Sequence, residues 1–335
     1  MPRTSLEDFL EDYSTSNAKD GRAVGDILLA LANCSKQVRE TINQGALGSA
    51  FAGVKGSTNA DGDNQKELDV LADDFFLDAM RSVPIALYGS EEINNPVLLD
   101  NAKKYAIAID PLDGSSNIDT NVSIGTIFGI LPVVGNPSED PDASFLQPGS
   151  AQLAAGFFIY GPQLAFVVSV GSGTHIFVYS SRVGKFILAY ENINIPQQTN
   201  EYAINASNHQ QWSDEQRRYI DDCLAGADGP RGKKFNMRWV GSMVADAYRI
   251  LIRGGIFMYP GDGRKGYGEG RLRLVYEANP VALLAEQAGG RAICCNGDGV
   301  TRILDINPSQ LHQRIPLAFG SGKEVDCLAR YHEKT

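Results

Sequence analysis

Between residues 105 and 190 the chain carries a succession of short apolar runs broken by turn signals, and this block limits the fold more than any other feature. Tyr105-Ala106-Ile107-Ala108-Ile109 reads as a buried strand. Further strands are predicted over about 124–134, 153–160, 164–170, 175–179 and 185–190, with Gly161-Pro162 and Gly171-Ser172-Gly173 as breaks. The flanks read differently. Val24, Ile27, Leu28, Leu31, Val38 and Ile42 mark the apolar face of a helix over 22–43, and Leu68, Leu71 and Phe75 that of another over 67–81. Residues 51–65, rich in Gly, Ser, Asn and Asp, read as a loop. After Pro196, helices over 213–225, 241–253, 272–288 and 323–334 mix with strands at 256–259 and 316–321. Pro280 predicts a kink or break in the third of these helices. The pattern is that of an α/β protein. At 335 residues, 43% of them hydrophobic, the chain exceeds the ~250–300 residues that one core usually serves. Two domains are expected, 1–195 and 196–335, divided near Pro196.

Composition excludes several classes. A net charge of −10 disfavours nucleic acid and anionic membranes as partners. No stretch approaches the ~18 apolar residues of a membrane span, and the acidic start Met1-Pro2-Arg3-Thr4-Ser5-Leu6-Glu7-Asp8 has no apolar signal core. Five cysteines, without a Cys-x-x-Cys, fit a reducing compartment, so a cytoplasmic location is expected. Basic residues nevertheless cluster at Arg231, Lys233, Lys234 and Arg238, and again at Arg264, Lys265, Arg271 and Arg273. Each cluster is either a solvated surface or a phosphate site.

Asp110-Pro111-Leu112-Asp113-Gly114-Ser115-Ser116 follows the first of the central strands. Two carboxylates at a strand end, with the Leu112 carbonyl between them, form the oxygen donor set that Mg²⁺ prefers. Gly114, Ser115 and Ser116 add backbone N–H groups and hydroxyls in a tight turn, which suits a phosphate. An ordinary Asp/Gly/Ser turn has the same composition, so the motif alone leaves both readings open. Glu91-Glu92 reads equally as a surface pair, Asp63 and Asp69 as a loop and a helix acid, and Glu277 as the helix partner of Arg273. Other patterns fail. Gly261-Asp262-Gly263-Arg264-Lys265-Gly266 fits G-x-G-x-x-G but lacks a strand–turn–helix frame and reads as a long loop. The EF-hand hint at Asn59, Asp61 and Asp63 lacks its Gly and distal Glu. No Walker A string, histidine metal spacing or G-x-S-x-G elbow occurs.

Longer strings give these residues a common setting. Gly56-Ser57-Thr58-Asn59, Leu68-Asp69-Val70-Leu71, Asp110 through Asp119, Gly125 through Ile130, Val240 through Asp246 and Leu272 through Pro280 resemble, in order, the class I fructose-1,6-bisphosphatases. These are members of the lithium-sensitive sugar phosphatase superfamily, and the resemblance runs from about residue 22 to 330. It implies the sugar phosphatase fold, with alternating helix and sheet layers, a homotetramer, and hydrolysis of the 1-phosphate of fructose 1,6-bisphosphate in gluconeogenesis or the Calvin cycle. It implies Mg²⁺, two or more ions per subunit, with Mn²⁺ as the alternative. Glu91, Asp110, the Leu112 carbonyl, Asp113 and Glu277 match the family's metal ligands. Asp63 matches its loop aspartate, and Asp69 and Glu92 the pair that activates water. Gly114, Ser115 and Ser116 match the 1-phosphate turn. Asn205 and Tyr259 match the 6-phosphate pocket, Arg238 the arginine that crosses between subunits, and Arg271 stands where a lysine contacts the sugar. Two like charges ~4 Å apart repel by about 4 kcal/mol at an effective dielectric near 20. Seven converging carboxylates therefore need divalent cations or shared protons.

The chain also departs from the family. Asn208 and Trp239 replace tyrosines of the 6-phosphate pocket, which keeps sedoheptulose 1,7-bisphosphate as an alternative or second substrate. Gly21-Arg22-Ala23-Val24-Gly25 and Pro132 replace parts of the AMP site, although Lys104 and Tyr105 match it, so AMP inhibition through that site is not expected. A non-catalytic sugar-phosphate sensor is the alternative of another class; it would need no water-activating pair.

Overall fold

The computed structural model describes residues 4–44, 63–297 and 299–333. Most of loop 51–65, with Gly56-Ser57-Thr58-Asn59, lies outside them, as does the side chain of Asp63.

The strand block forms one sheet of eight strands, β1 (Ile85–Ser90), β2 (Val97–Leu98), β3 (Tyr105–Asp113), β4 (Ile124–Pro132), β5 (Ala154–Tyr160), β6 (Leu164–Ser169), β7 (His175–Ser180) and β8 (Lys185–Tyr190), in the order β2-β1-β3-β4-β5-β6-β7-β8. Only β1 and β3 run parallel; from β3 to β8 each strand is antiparallel to the next. All nine residues of β3 are buried, because helices cover both faces of the sheet. On one face lie α1 (Leu6–Ser16), α2 (Gly21–Gln44) and α3 (Asp63–Arg81), whose apolar stripes meet Phe128, Phe158, Phe166 and Phe177. Each such ring contributes roughly 1.5–3 kcal/mol through burial. Helix α1 is not part of the predicted pattern. It starts on a capping box in which Ser5 and Asp8 exchange hydrogen bonds.

The second sheet has the order β10-β9-β11-β16-β13-β14, from β9 (Glu201–Ala203), β10 (Asn236–Met237), β11 (Ile256–Tyr259), β13 (Arg291–Asn296), β14 (Gly299–Arg302) and β16 (Leu317–Gly320). Helices α5 (Met243–Arg253) and α6 (Asn279–Gln287) are packed between the two sheets, where Val244, Ala247, Val281 and Leu284 join Ile127 and Phe157 of one to Phe257 and Phe319 of the other. Helices α4 (Asp214–Leu224) and α7 (Gly322–His332) cover the far face. Helix and sheet layers thus alternate. A short ribbon, β12 (Leu272–Arg273) with β15 (Arg314–Ile315), stands apart.

The helix expected over 272–288 is divided. Residues 272–273 are strand, Leu274–Ala278 form a π turn, and regular helix begins only at Asn279. Pro280 therefore sits in the first turn of α6, directly after the π turn, where the helical hydrogen-bond ladder changes and its missing N–H is accommodated without a break. Helix α3 also starts at Asp63, four residues before its predicted start.

Candidate active site

A regular strand turns residues three apart to opposite faces. Asp110 and Asp113 share a face because β3 bulges between them: Asp110 pairs with Ile127 and Asp113 with Gly125, so Pro111 and Leu112 stand opposite Thr126 alone. The Thr126 hydroxyl donates to the Pro111 carbonyl at 2.8 Å, and the Leu112 N–H donates to Asp110 Oδ1 at 3.0 Å, which holds the bulge. Glu277 reaches the same point from the π turn, its carboxylate accepting the backbone N–H of Arg273. Single oxygens of Asp110, Asp113 and Glu277 lie within 4.8 Å of one another, all three residues buried.

Glu91 and Glu92 follow directly on β1, parallel neighbour of β3, and the Glu91 N–H continues the ladder to the Ile109 carbonyl at 3.1 Å. Arg273 Nη2 stands 4.0 Å from Glu91 Oε1. The Glu92 N–H donates to Ser90 Oγ at 3.2 Å. Asp69 approaches from α3. Its Oδ1 is buried without a hydrogen-bond partner among the described residues.

Electrostatics follow from this crowding. Burial raises the Asp110 carboxyl well above its ordinary value, and Glu91, Asp113 and Glu277 raise it further. Burial and Glu91 do the same to Glu277. Burial, offset by Arg273, raises Glu91. Asp69 is pushed up to about 7 by burial and by Glu92, against a hydrogen bond from Ser115. Asp113 rises to about 6 through burial, restrained by donors at the N-terminus of α5: the Val244 N–H at 3.1 Å and Ser242 Oγ at 3.3 Å. A helix N-terminus favours negative charge, so Asp113 is the better-supported of the two motif aspartates.

Gly114 follows at φ +76°, and a Cβ there would lie 3.1 Å from Ser242 Cβ. Conformation and space both require glycine. Ser115–Asn117 make one turn of 3₁₀ helix, and Asn117 Nδ2 donates to the Gly241 carbonyl at 3.0 Å, joining this turn to α5's N-terminal loop. Asp246, buried, accepts the N–H groups of Val240 and Gly241 at 3.2 and 3.4 Å and so shapes that loop. Sequence reasoning on single residues passed over Ser242 and Asp246. The available signal was Gly241-Ser242 before an apolar helix, an anion-binding N-terminus.

The residues expected at the far end of the site are less closely joined. Asn205 caps the turn at Ala206–Gln211, its side chain accepting the Ser207 N–H at 3.2 Å. Tyr259 ends β11 beside Trp239, which stacks on Phe257 with ring centroids 5.7 Å apart. Arg271 lies over the Tyr267 ring at 5.1 Å. Arg238 is exposed and pairs with Glu201 at 3.6 Å. The first basic cluster is partly structural: Arg231 and Lys233 both meet the buried carboxylate of Glu324, at 2.5 and 3.5 Å, and so serve the α7 contact. In the second, Arg264 pairs with Asp262 and Arg273 faces Glu91.

The donor set is all oxygen, converging, buried and short of positive charge, which fits a hard divalent cation. Among the described residues no helix is long and apolar enough to cross a membrane. The family model described as "Fructose-1-6-bisphosphatase, N-terminal domain" matches residues 5–191, and its C-terminal counterpart matches 195–333. A fructose-1,6-bisphosphatase class 1 of Sinorhizobium medicae is 55% identical over 332 residues, covering 99% of this chain and 94% of its own. One of Rhizobium meliloti is 56% identical with the same coverage. The crystal structure of Leishmania major fructose-1,6-bisphosphatase in holo form superposes with a TM-score of 0.87 at 33% identity, over 100% of both chains. This chain belongs to the class 1 fructose-1,6-bisphosphatase family.

Proposed function

We propose that the chain hydrolyses fructose 1,6-bisphosphate at its 1-phosphate, giving fructose 6-phosphate and inorganic phosphate. The observation that carries this reading is the meeting of Asp110, Asp113 and Glu277 within 4.8 Å beside the Gly114–Ser116 turn. Glu91, Asp110, the Leu112 carbonyl, Asp113 and Glu277 would hold two or more Mg²⁺ or Mn²⁺ ions. A divalent cation there supplies Lewis acidity to the phosphoryl group, the attacking water and the leaving alkoxide. The N–H groups and hydroxyls at Gly114, Ser115 and Ser116 hold the phosphate. Asp69 and Glu92, whose charges already disfavour each other, accept the proton of the water. Water adds to phosphorus, the bond from phosphorus to the C1 oxygen breaks, and the leaving C1 alkoxide takes up a proton to become the sugar's hydroxyl. Asn205, Tyr259 and Arg271 receive the far end of the sugar, and Asp63 belongs with the catalytic acids.

Phosphate release from fructose 1,6-bisphosphate and sedoheptulose 1,7-bisphosphate, measured against Mg²⁺ concentration, tests the reading. Mg²⁺-dependent release is expected, faster from the six-carbon sugar. Trp239 walls the sugar end, so the ratio of the two rates reads how that wall fits. Bisphosphate binding without hydrolysis would instead identify a sensor. AMP is expected to leave the rate unchanged: the Tyr105 hydroxyl already donates to Asp20 at 2.8 Å, and that carboxylate repels a phosphate.

The finer features follow from the same reading. Domains 1–195 and 196–335 each carry one of the large sheets. Met237 and Val240, 44% and 41% exposed, flank Arg238, which suits covering by a second copy in a homotetramer. Light scattering is expected to give four times the 36.2 kDa chain mass; a monomer would refute the assembly. Five cysteines, none of them in a disulfide, suit a reducing cytoplasm.

A further inference from the structure

His312 lies on the segment leading into β15, and β15 is fixed against β12 by the pairs Leu272–Ile315 and Arg273–Arg314. The Leu274 N–H donates to the Gln313 carbonyl at 2.8 Å, so the ladder sets His312 beside the π turn. Its ring meets Tyr276 edge-on, centroids 5.8 Å apart, and Tyr276 is fully buried. Three further contacts leave the pair. His312 Nε2 is 3.0 Å from the Ile93 carbonyl, His312 Nδ1 is 2.9 Å from the Tyr276 hydroxyl, and Arg273 Nε is 3.1 Å from that hydroxyl.

Donor accounting gives the chain of contacts a direction. A carbonyl only accepts, so Nε2 carries the hydrogen toward Ile93. Arg273 Nε only donates, so the Tyr276 oxygen accepts from it. The Tyr276 hydrogen then goes to Nδ1, which is unprotonated in a neutral imidazole. Each donor hydrogen of the relay then meets one acceptor, the Tyr276 hydroxyl both accepting and donating. At its two ends stand site residues: Ile93 is two positions after Glu91, and Tyr276 directly precedes Glu277. Arg273 connects both, its backbone N–H on the Glu277 carboxylate and its guanidinium 4.0 Å from Glu91.

We propose that His312, as its Nε2–H tautomer, is a positioning residue: through Tyr276 it holds Arg273 between Glu91 and Glu277 and thereby sets the spacing of the two glutamates for a divalent cation. The inference rests on the metal role proposed above for those glutamates. Residues behind metal ligands commonly affect metal affinity by about 10–100-fold when replaced, because they hold the ligand orientation. Substrate contacts of the sugar end are not part of this relay.

The test uses the full-length chain. In Tyr276→Phe the ring stays and only the hydroxyl is lost. Calorimetric titration with Mg²⁺ is expected to show affinity weakened by about 10-fold or more, while KM for the bisphosphate at saturating Mg²⁺ stays near the wild-type value. His312→Leu is expected to show the same loss, and His312→Gln, which keeps a donor for the Ile93 carbonyl, to recover part of it. A packing role alone would not favour Gln over Leu. Nitrogen NMR of ¹⁵N-histidine-labelled wild type, assigned with the His312 variants, is expected to give the neutral Nε2–H pattern, with the Nδ1 signal moving in Tyr276→Phe. Wild-type Mg²⁺ affinity in a folded Tyr276→Phe, or a His312 protonated at Nδ1 in the wild type, overturns the positioning role and leaves the hydrolase reading intact. A wild-type chain that binds no Mg²⁺ and releases no phosphate overturns both.

Discussion

Asp110→Asn is expected to lower kcat/KM for the bisphosphate by about three orders of magnitude, about 4 kcal/mol of transition-state stabilisation, and to raise the melting temperature of the metal-free chain. Both effects come from one carboxylate. Asp110 is 3% exposed and faces Glu91, Asp113 and Glu277, with Leu112 N–H as its hydrogen-bond donor. Asparagine has the same shape and keeps an oxygen for Leu112, so the β3 bulge survives. It removes one of several mutually repelling charges, and with it a ligand for a cation. A stabilisation on the order of 1–2 kcal/mol should raise the melting temperature by a few degrees. Asp113→Asn provides the contrast. Its carboxylate is supported by Val244 N–H and Ser242 Oγ at the N-terminus of α5, so neutralising it removes favourable interactions along with repulsion. It should be as inactive, and its gain in stability smaller than that of Asp110→Asn. Scanning calorimetry in EDTA, together with steady-state kinetics, distinguishes the two variants. A metal-free Asp110→Asn that melts below wild type would refute the view that these acids are held together against their charge.

The same residues show what a linear reading can recover. The run from Tyr105 to Ile109 declared β3 because nine-residue burial on both faces selects continuous apolar character. The bulge beyond it was not legible, since it depends on the register of β4, a strand written afterwards with no mark at Thr126. Helical spacing around Leu274 and Glu277 reads as ordinary helix, because a π turn keeps the apolar spacing while inserting one residue. Helix α1 was readable in principle from Ser5 and Asp8. Family strings supplied the convergence of Glu91, Asp110, Asp113 and Glu277; spacing alone left each acid with an ordinary explanation. The roles of His312 and Asp246, the latter only a letter in a family string, are not legible for a physical reason. Their roles consist of contacts with one or two atoms, and in His312 the partner at Ile93 is 219 residues away.

Removing divalent cations should make the chain less stable as pH rises, and Mg²⁺ should reverse that trend. Asp113 moves from 3.8 to about 6 and Asp69 to about 7, and Asp110 and Glu277 stand well above their ordinary values. A carboxyl whose folded-state value is raised binds more protons in the folded than in the unfolded chain. Its stabilising effect is complete below the unfolded value, near pH 4, and is lost as pH rises through the folded one. For Asp113 the loss is on the order of 3 kcal/mol. The metal-free melting temperature is therefore expected to fall between about pH 5 and pH 8. Mg²⁺ binds the ionised carboxylates and displaces their protons, so its affinity tightens over the same interval. At about 100 times the dissociation constant it adds roughly 2.7 kcal/mol. Calorimetry at pH 5.5, about the start of this interval, and at pH 8 near its end, each in EDTA and in excess Mg²⁺, should thus show a larger gain from Mg²⁺ at the higher pH. Equal gains at both would mean that the acids already stand ionised without metal, held apart by Arg273 and the α5 N-terminus instead of by shared protons.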